Sequence, residues 1–126
     1  MGEGKLVLVI EDDPFYFNIY KMKLAKEGIR AEVALNADAG LAVARKEKPA
    51  LILTDLVMPG KDGFEVLKEL KADPTLRDVP VIVFSNLSQE EDMRRAKELG
   101  ALEYVVKANI SIQEMIEKVK SNLATA

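Results

Sequence analysis

The sequence predicts an α/β fold, a doubly wound parallel sheet of five strands with helices on both faces, and three observations carry that expectation. Five short apolar runs are spaced along the chain, beginning at Lys5, Ile29, Leu51, Val79 and Glu103. Each is followed by a segment with helical periodicity and its own start and stop signals. Every connection between them is short, and no repeat or low-complexity linker interrupts the series. Unbroken apolar strands alternating with helices indicate a parallel sheet buried on both sides.

Taken in order, Lys5–Ile10 is a strand that ends in Glu11-Asp12-Asp13-Pro14. Pro at the first helical position with Asp before it opens a helix, so Asp13 is the expected N-cap. That helix runs to about Glu27 and stops at Gly28, a good left-handed residue. Ile29–Leu35 is the second strand; Asn36 and Asp38 offer caps for an alanine-rich helix over Ala39–Glu47, which Pro49 breaks. The third strand opens the stretch Leu51–Gly60, an apolar run that leads to Asp55 and then to the breaker Pro59-Gly60. Phe64, Val66, Leu67 and Leu70 recur at helical spacing to about Ala72, before Asp73-Pro74. Val79–Phe84 is the fourth strand. Ser88 with Glu91 reads as a capping box for a helix that closes at Gly100. Glu103–Val106 is a short fifth strand ending at Lys107, and Ser111 with Glu114 is a second capping box. The last helix carries Ile112, Met115, Ile116, Val119 and Leu123 on one stripe, and Ala124–Ala126 is expected to fray.

Composition narrows the chemistry. The 126 residues, 48% apolar and 31% charged, suit one globular domain with a real core and no output domain. A net charge of −3 with no basic patch argues against direct DNA binding. There is no cysteine and no histidine, so disulfides, thiolate metal sites, imidazole triads and a phosphohistidine donor role are all excluded. Any bound metal would be a hard, oxygen-loving ion, magnesium before calcium. The apolar run near the N-terminus is too short for a signal sequence or a membrane span, so no membrane association and a cytoplasmic location are expected.

In a doubly wound sheet, ligands bind outside the carboxyl ends of the strands. The residues delivered there are Glu11 and Asp12 from the first strand, Asp55 from the third, Ser85 from the fourth and Lys107 from the fifth. Singly, each has a plain structural reading: the acids as turn residues, Ser85 as a cap, Lys107 as a solvated charge. Their joint placement at one edge favours a site.

This combination, with Met58-Pro59-Gly60 and Gly63 after Asp55, resembles the receiver domain of bacterial two-component response regulators, of the single-domain, CheY-like kind, over about residues 5–123. The resemblance implies a flavodoxin-like (βα)5 sandwich with strand order 2-1-3-4-5. It implies Asp55 as phosphoacceptor, Asp12 as a direct Mg2+ ligand, Glu11 as the acid that helps hold the ion, and the backbone carbonyl of Val57 as a further ligand. Ser85 matches the switch hydroxyl, Lys107 the lysine that pairs with the phosphoryl group, and Tyr104 the aromatic that turns inward on activation. The implied partners are a histidine kinase or histidine phosphotransfer protein and a downstream protein target met by the face around the last two helices; a phosphorylation-dependent homodimer is also allowed. Three carboxylates against one lysine agree with this, since they repel and need a divalent cation to coexist.

Two departures stand out. Ala108 follows Lys107 where the family usually has a cis proline, so trans geometry or an altered loop is expected, because a cis bond before another residue costs roughly 2.5–4 kcal/mol. Asn86 replaces a common small residue beside the phosphate. The first helix is also unusually aromatic: Tyr16, Tyr20 and Leu24 can face the sheet, which leaves Phe15, Ile19 and Met22 either as further core or as a ridge for docking a phosphodonor partner. The rival reading is a receiver-like interaction module that signals without phosphate. An enzyme fits worse: a haloacid-dehalogenase-like phosphatase needs a second Asp where Val57 stands, and neither a flavodoxin-type phosphate loop nor a P-loop is present.

Overall fold

A computed structural model describes residues 5–125. Its elements are β1 (Val7–Ile10), α1 (Pro14–Lys26), β2 (Ala31–Ala34), α2 (Ala37–Glu47), β3 (Leu51–Thr54), α3 (Gly63–Ala72), β4 (Val81–Ser85), α4 (Glu90–Glu98), β5 (Glu103–Val106), a 3-10 turn (Lys107–Asn109) and α5 (Ile112–Thr125). The five strands form one sheet in the order β2-β1-β3-β4-β5, and all four pairings are parallel. This is the doubly wound, flavodoxin-like arrangement expected.

Side chains alternate across the pleat and feed two cores. Val7 and Val9, with Leu51, Leu53, Ile82 and Phe84, pack against Tyr20 and Leu24 of α1 and Met115, Ile116 and Val119 of α5. Leu8 and Ile10, with Ile52, Val81 and Val83, pack against Leu41 of α2, Phe64 and Leu67 of α3 and Ala96 of α4. Two helices therefore cover one face and three the other.

The local signals mostly form as read. Asp13 Oδ1 accepts from the Phe15 N–H at 2.9 Å and caps α1 before Pro14. Gly28 follows α1 at φ 73°. Asn36 caps α2, which begins at Ala37 and not at Ala39, leaving Asp38 in the first turn. Ser111 and Glu114 make both bonds of the capping box. The box expected at Ser88 does not form: Gln89 takes the cap position of α4 with no side-chain bond. The strands are shorter than the apolar runs, because burial extends past the residues that share ladder bonds; Leu6 is 2% exposed yet lies before β1. The fourth strand is shifted to include Ser85, which pairs with Val106. Helix α5 stays helical through Thr125, beyond where fraying was expected; Ala126 lies outside the described residues.

Candidate functional site

The register sets the site. Ile10 is paired with Ala34 on one side and Thr54 on the other, so Glu11 and Asp55 leave adjacent strands at the same height. The Asp55 N–H donates to the Ile10 carbonyl at 3.1 Å, extending the ladder by one rung. From β1 the chain winds outward to β2 on one side and through β3 to β5 on the other. The crevice opens at that reversal of strand order.

Asp55 is buried at 8% exposure and held from both ends. Its Oδ1 accepts from the Leu56 N–H at 2.7 Å and from the Val57 N–H at 3.4 Å, while Oδ2 accepts from Lys107 Nζ at 2.9 Å. The Thr54 hydroxyl donates to the Asp55 carbonyl at 2.9 Å. Gly63 opens α3 directly against this turn. A Cβ there would fall well inside contact distance of the Asp55 carbonyl oxygen and 2.8 Å from Leu56 Cα. Glycine at this position therefore lets α3 close under the carboxylate.

The same Lys107 ammonium lies 2.7 Å from Glu11 Oε1, and the two side chains are 4% and 1% exposed. Glu11 Oε2 accepts from the Asp13 N–H at 3.1 Å, and the buried Oε1 is met by the Lys107 ammonium, whose charge-assisted contact offsets its desolvation. Burial pushes the Glu11 carboxyl up to about 7; the Lys107 ammonium pulls it back and the Asp55 charge pushes it further up. Burial also works against the Lys107 ammonium, but the Glu11 and Asp55 carboxylates more than compensate and hold its pKa above the ordinary lysine value.

Glu11, half-buried Asp12 and Asp55 each offer one carboxylate oxygen, and the three atoms lie within 4.8 Å of one another. Three hard carboxylate oxygens at that spacing suit magnesium. A cleft of about 530 Å³ opens over them, lined by Asp12, Asp55, Val57, Ser85, Asn86 and Lys107 among others.

Of the remaining residues named from the sequence, Ser85, Tyr104, Val57 and Asn86 lie around the cleft or the loop beside it, and the α1 residues Phe15, Ile19 and Met22 do not. Ser85 is fully buried at the end of β4, its Oγ accepting from the Leu87 N–H at 3.2 Å. Tyr104 lies inward, 9% exposed, its hydroxyl donating to the Leu87 carbonyl at 2.7 Å. Val57 is exposed on the cleft wall. Asn86 is also exposed there, at the mouth. Among the described residues there is no cis peptide, and Ala108 sits exposed in the 3-10 turn after β5, as its replacement of proline suggested. Phe15, Ile19 and Met22 are gathered away from the cleft, on the outer side of α1, with Phe15 63% and Met22 60% exposed; these two are surface residues and not core.

One neighbour of the site was not singled out. Tyr16, placed only on the sheet-facing stripe, has its ring centroid 4.3 Å from Lys107 Nζ. Its position on the first turn of α1, just after the acids, was the available signal.

A doubly wound sheet with an acid cluster and a buried lysine at the switch point is the arrangement of a receiver-type signalling module. The chain belongs to the family described as "Response regulator receiver domain", which matches residues 7–120. It is 33% identical over 122 residues to the polar-differentiation response regulator DivK of Brucella anthropi, covering 97% of this chain and 98% of DivK. It is 35% identical over 101 residues to response regulator PleD of Caulobacter vibrioides, but spans only 22% of PleD while 80% of this chain is matched. Among solved structures, the receiver domain of the Francisella response regulator 1452 superposes with a TM-score of 0.86 at 29% identity, covering 96% of this chain and 98% of that one. Among the described residues, no helix is long and apolar enough to cross a membrane.

Proposed function

We propose that this receiver domain takes a phosphoryl group onto Asp55 from a phosphohistidine on a histidine kinase or histidine phosphotransfer protein. The observation that supports it most is a single one: the Asp55 carboxylate lines a cleft with Lys107 Nζ 2.9 Å from Oδ2 and two further carboxylates beside it. In the transfer, an Asp55 oxygen bonds to phosphorus as the phosphorus–nitrogen bond breaks, and the imidazole leaves with the bonding pair and takes up a proton. Such transfers ask mainly for positioning and charge stabilisation. The backbone N–H groups on Oδ1 fix the carboxylate, and Lys107 offers its ammonium to the incoming phosphoryl oxygens. Magnesium held by Glu11, Asp12, Asp55 and the Val57 carbonyl would supply the positive charge that lets a dianion approach three acids.

Ser85, as switch hydroxyl, would turn from the Leu87 N–H to a phosphoryl oxygen, loosening the loop that Tyr104 also holds through the Leu87 carbonyl. The altered face around α4 and α5 would then engage a downstream protein, with a homodimer of the phosphorylated form as one alternative. Phe15, Ile19 and Met22 form the ridge on which the phosphodonor docks. We read this receiver as acting in the cytoplasm through protein partners, without itself binding DNA.

The test is a magnesium and beryllofluoride titration followed by amide NMR. Saturable, magnesium-dependent shifts at Asp55, Ser85 and Lys107 that vanish in Asp55→Asn are expected. Identical spectra with and without the ligands would leave the phosphate-independent interaction module as the better reading.

A further inference from the structure

Lys107 carries one ammonium among four groups. Besides the Glu11 and Asp55 carboxylates, Nζ lies 4.3 Å from the Tyr16 ring centroid and 5.3 Å from that of Phe84. The two rings meet edge to face, 5.7 Å apart at 89°. An ammonium against an aromatic face is attracted by the ring quadrupole, more strongly where water is excluded. The lysine side chain here is only 4% exposed.

The four partners do not persist equally when the site is used. Phosphorylation turns the Asp55 carboxylate into an acyl phosphate, and Glu11 is needed for magnesium. Both ion-pair partners of Lys107 therefore change character together, while the aromatic contacts do not. Phe84 is a buried strand residue of the core, 3% exposed, whereas half-buried Tyr16 stands on α1 at the edge of the site. Resting on the reading of Asp55 and Lys107 given above, we infer that Tyr16 is a positioning residue, whose ring face keeps the Lys107 ammonium beside Asp55 as the carboxylate becomes an acyl phosphate. An aliphatic side chain would fill the same space without holding the charge.

The experiment keeps the ring's shape and varies its charge. Tyr16→Phe and phenylalanines at position 16 with one, two and three ring fluorines progressively drain the negative face, and Tyr16→Leu removes it. Each is titrated with beryllofluoride in magnesium, and the Lys107 Cε–H shift is read in the unloaded protein by isotope-labelled lysine. Tyr16→Phe should bind within about twofold of the parent, and affinity should fall stepwise by about 3- to 10-fold at the trifluorinated ring. The upfield ring-current shift of Lys107 should persist through the aromatic series and shrink in Tyr16→Leu to what the Phe84 ring alone supplies. Equal affinity across the series, or a parent Lys107 without a ring-current shift, overturns the inference. A parent that takes up no beryllofluoride overturns the reading of Asp55 and this inference with it; uptake with a flat Tyr16 series overturns this inference alone.

Discussion

Lys107 and Asp55 are joined by a buried contact of 2.9 Å across 52 positions of sequence. The same ammonium is 2.7 Å from Glu11, so one cation answers two buried carboxylates. Lys107 thus competes for oxygens that a metal would need. Lys107→Met should leave two buried acids facing one another and destabilise the metal-free fold by about 3–5 kcal/mol, the usual consequence of breaking a buried pair. It should also bind magnesium more tightly than the parent. Urea unfolding with and without magnesium checks both, and weaker magnesium binding by the variant would contradict the competition.

Glu11 sets a pH dependence whose sign follows from its burial. Its carboxyl is raised from 4.5 to about 7 in the folded protein. Between those values the folded state binds more protons than the unfolded one, so this contribution to stability is present at low pH and is lost as pH rises to about 7. Ligation needs the ionised carboxylate, so magnesium affinity should climb with pH and level off above about 7. Calorimetry in buffers of different ionisation enthalpy should find protons released on binding at about pH 6 and few at about pH 8.

Gly63→Ala places a methyl group against the Asp55 carbonyl and Leu56 Cα, both backbone atoms with little room to yield. The cost should be about 1–3 kcal/mol of stability. Because the displaced turn carries Asp55, magnesium affinity should fall with it; thermal unfolding with a metal titration measures the pair.

The two apparent capping boxes should separate cleanly. Ser111→Ala removes a bond to the Glu114 N–H and should cost about 1 kcal/mol. Ser88→Ala should stay within about 0.5 kcal/mol of the parent, since Gln89 and not Ser88 takes the cap position of α4. Chemical denaturation of both variants distinguishes them.

Much of this was legible in the chain because buried parallel strands and helix caps are local signals. Leu51–Thr54 could be read as a buried strand leading to Asp55 from its own residues, and Asp13-Pro14 as the start of α1. The site was legible for a related reason: in this architecture each chemical group stands immediately after a strand. What escaped depends on tertiary packing. Ser88 has the residue pattern of a box, but the chain remains extended through Gln89 and the bond is not made. That Lys107 meets Glu11 as well as Asp55 follows from the reach of a long side chain across three strands. That Tyr16 lies on that ammonium depends on how α1 packs over Phe84.

The central claim is that Asp55 is the phosphoacceptor, and intact-mass spectrometry tests it most directly. The protein is incubated with magnesium and a small phosphodonor such as acetyl phosphate, alongside Asp55→Asn and a magnesium-free sample. A single phosphoryl adduct is predicted, dependent on magnesium, absent from Asp55→Asn, and lost on incubation with hydroxylamine as an acyl phosphate should be. An adduct of the same yield on Asp55→Asn, or none on the parent under any condition, would contradict it.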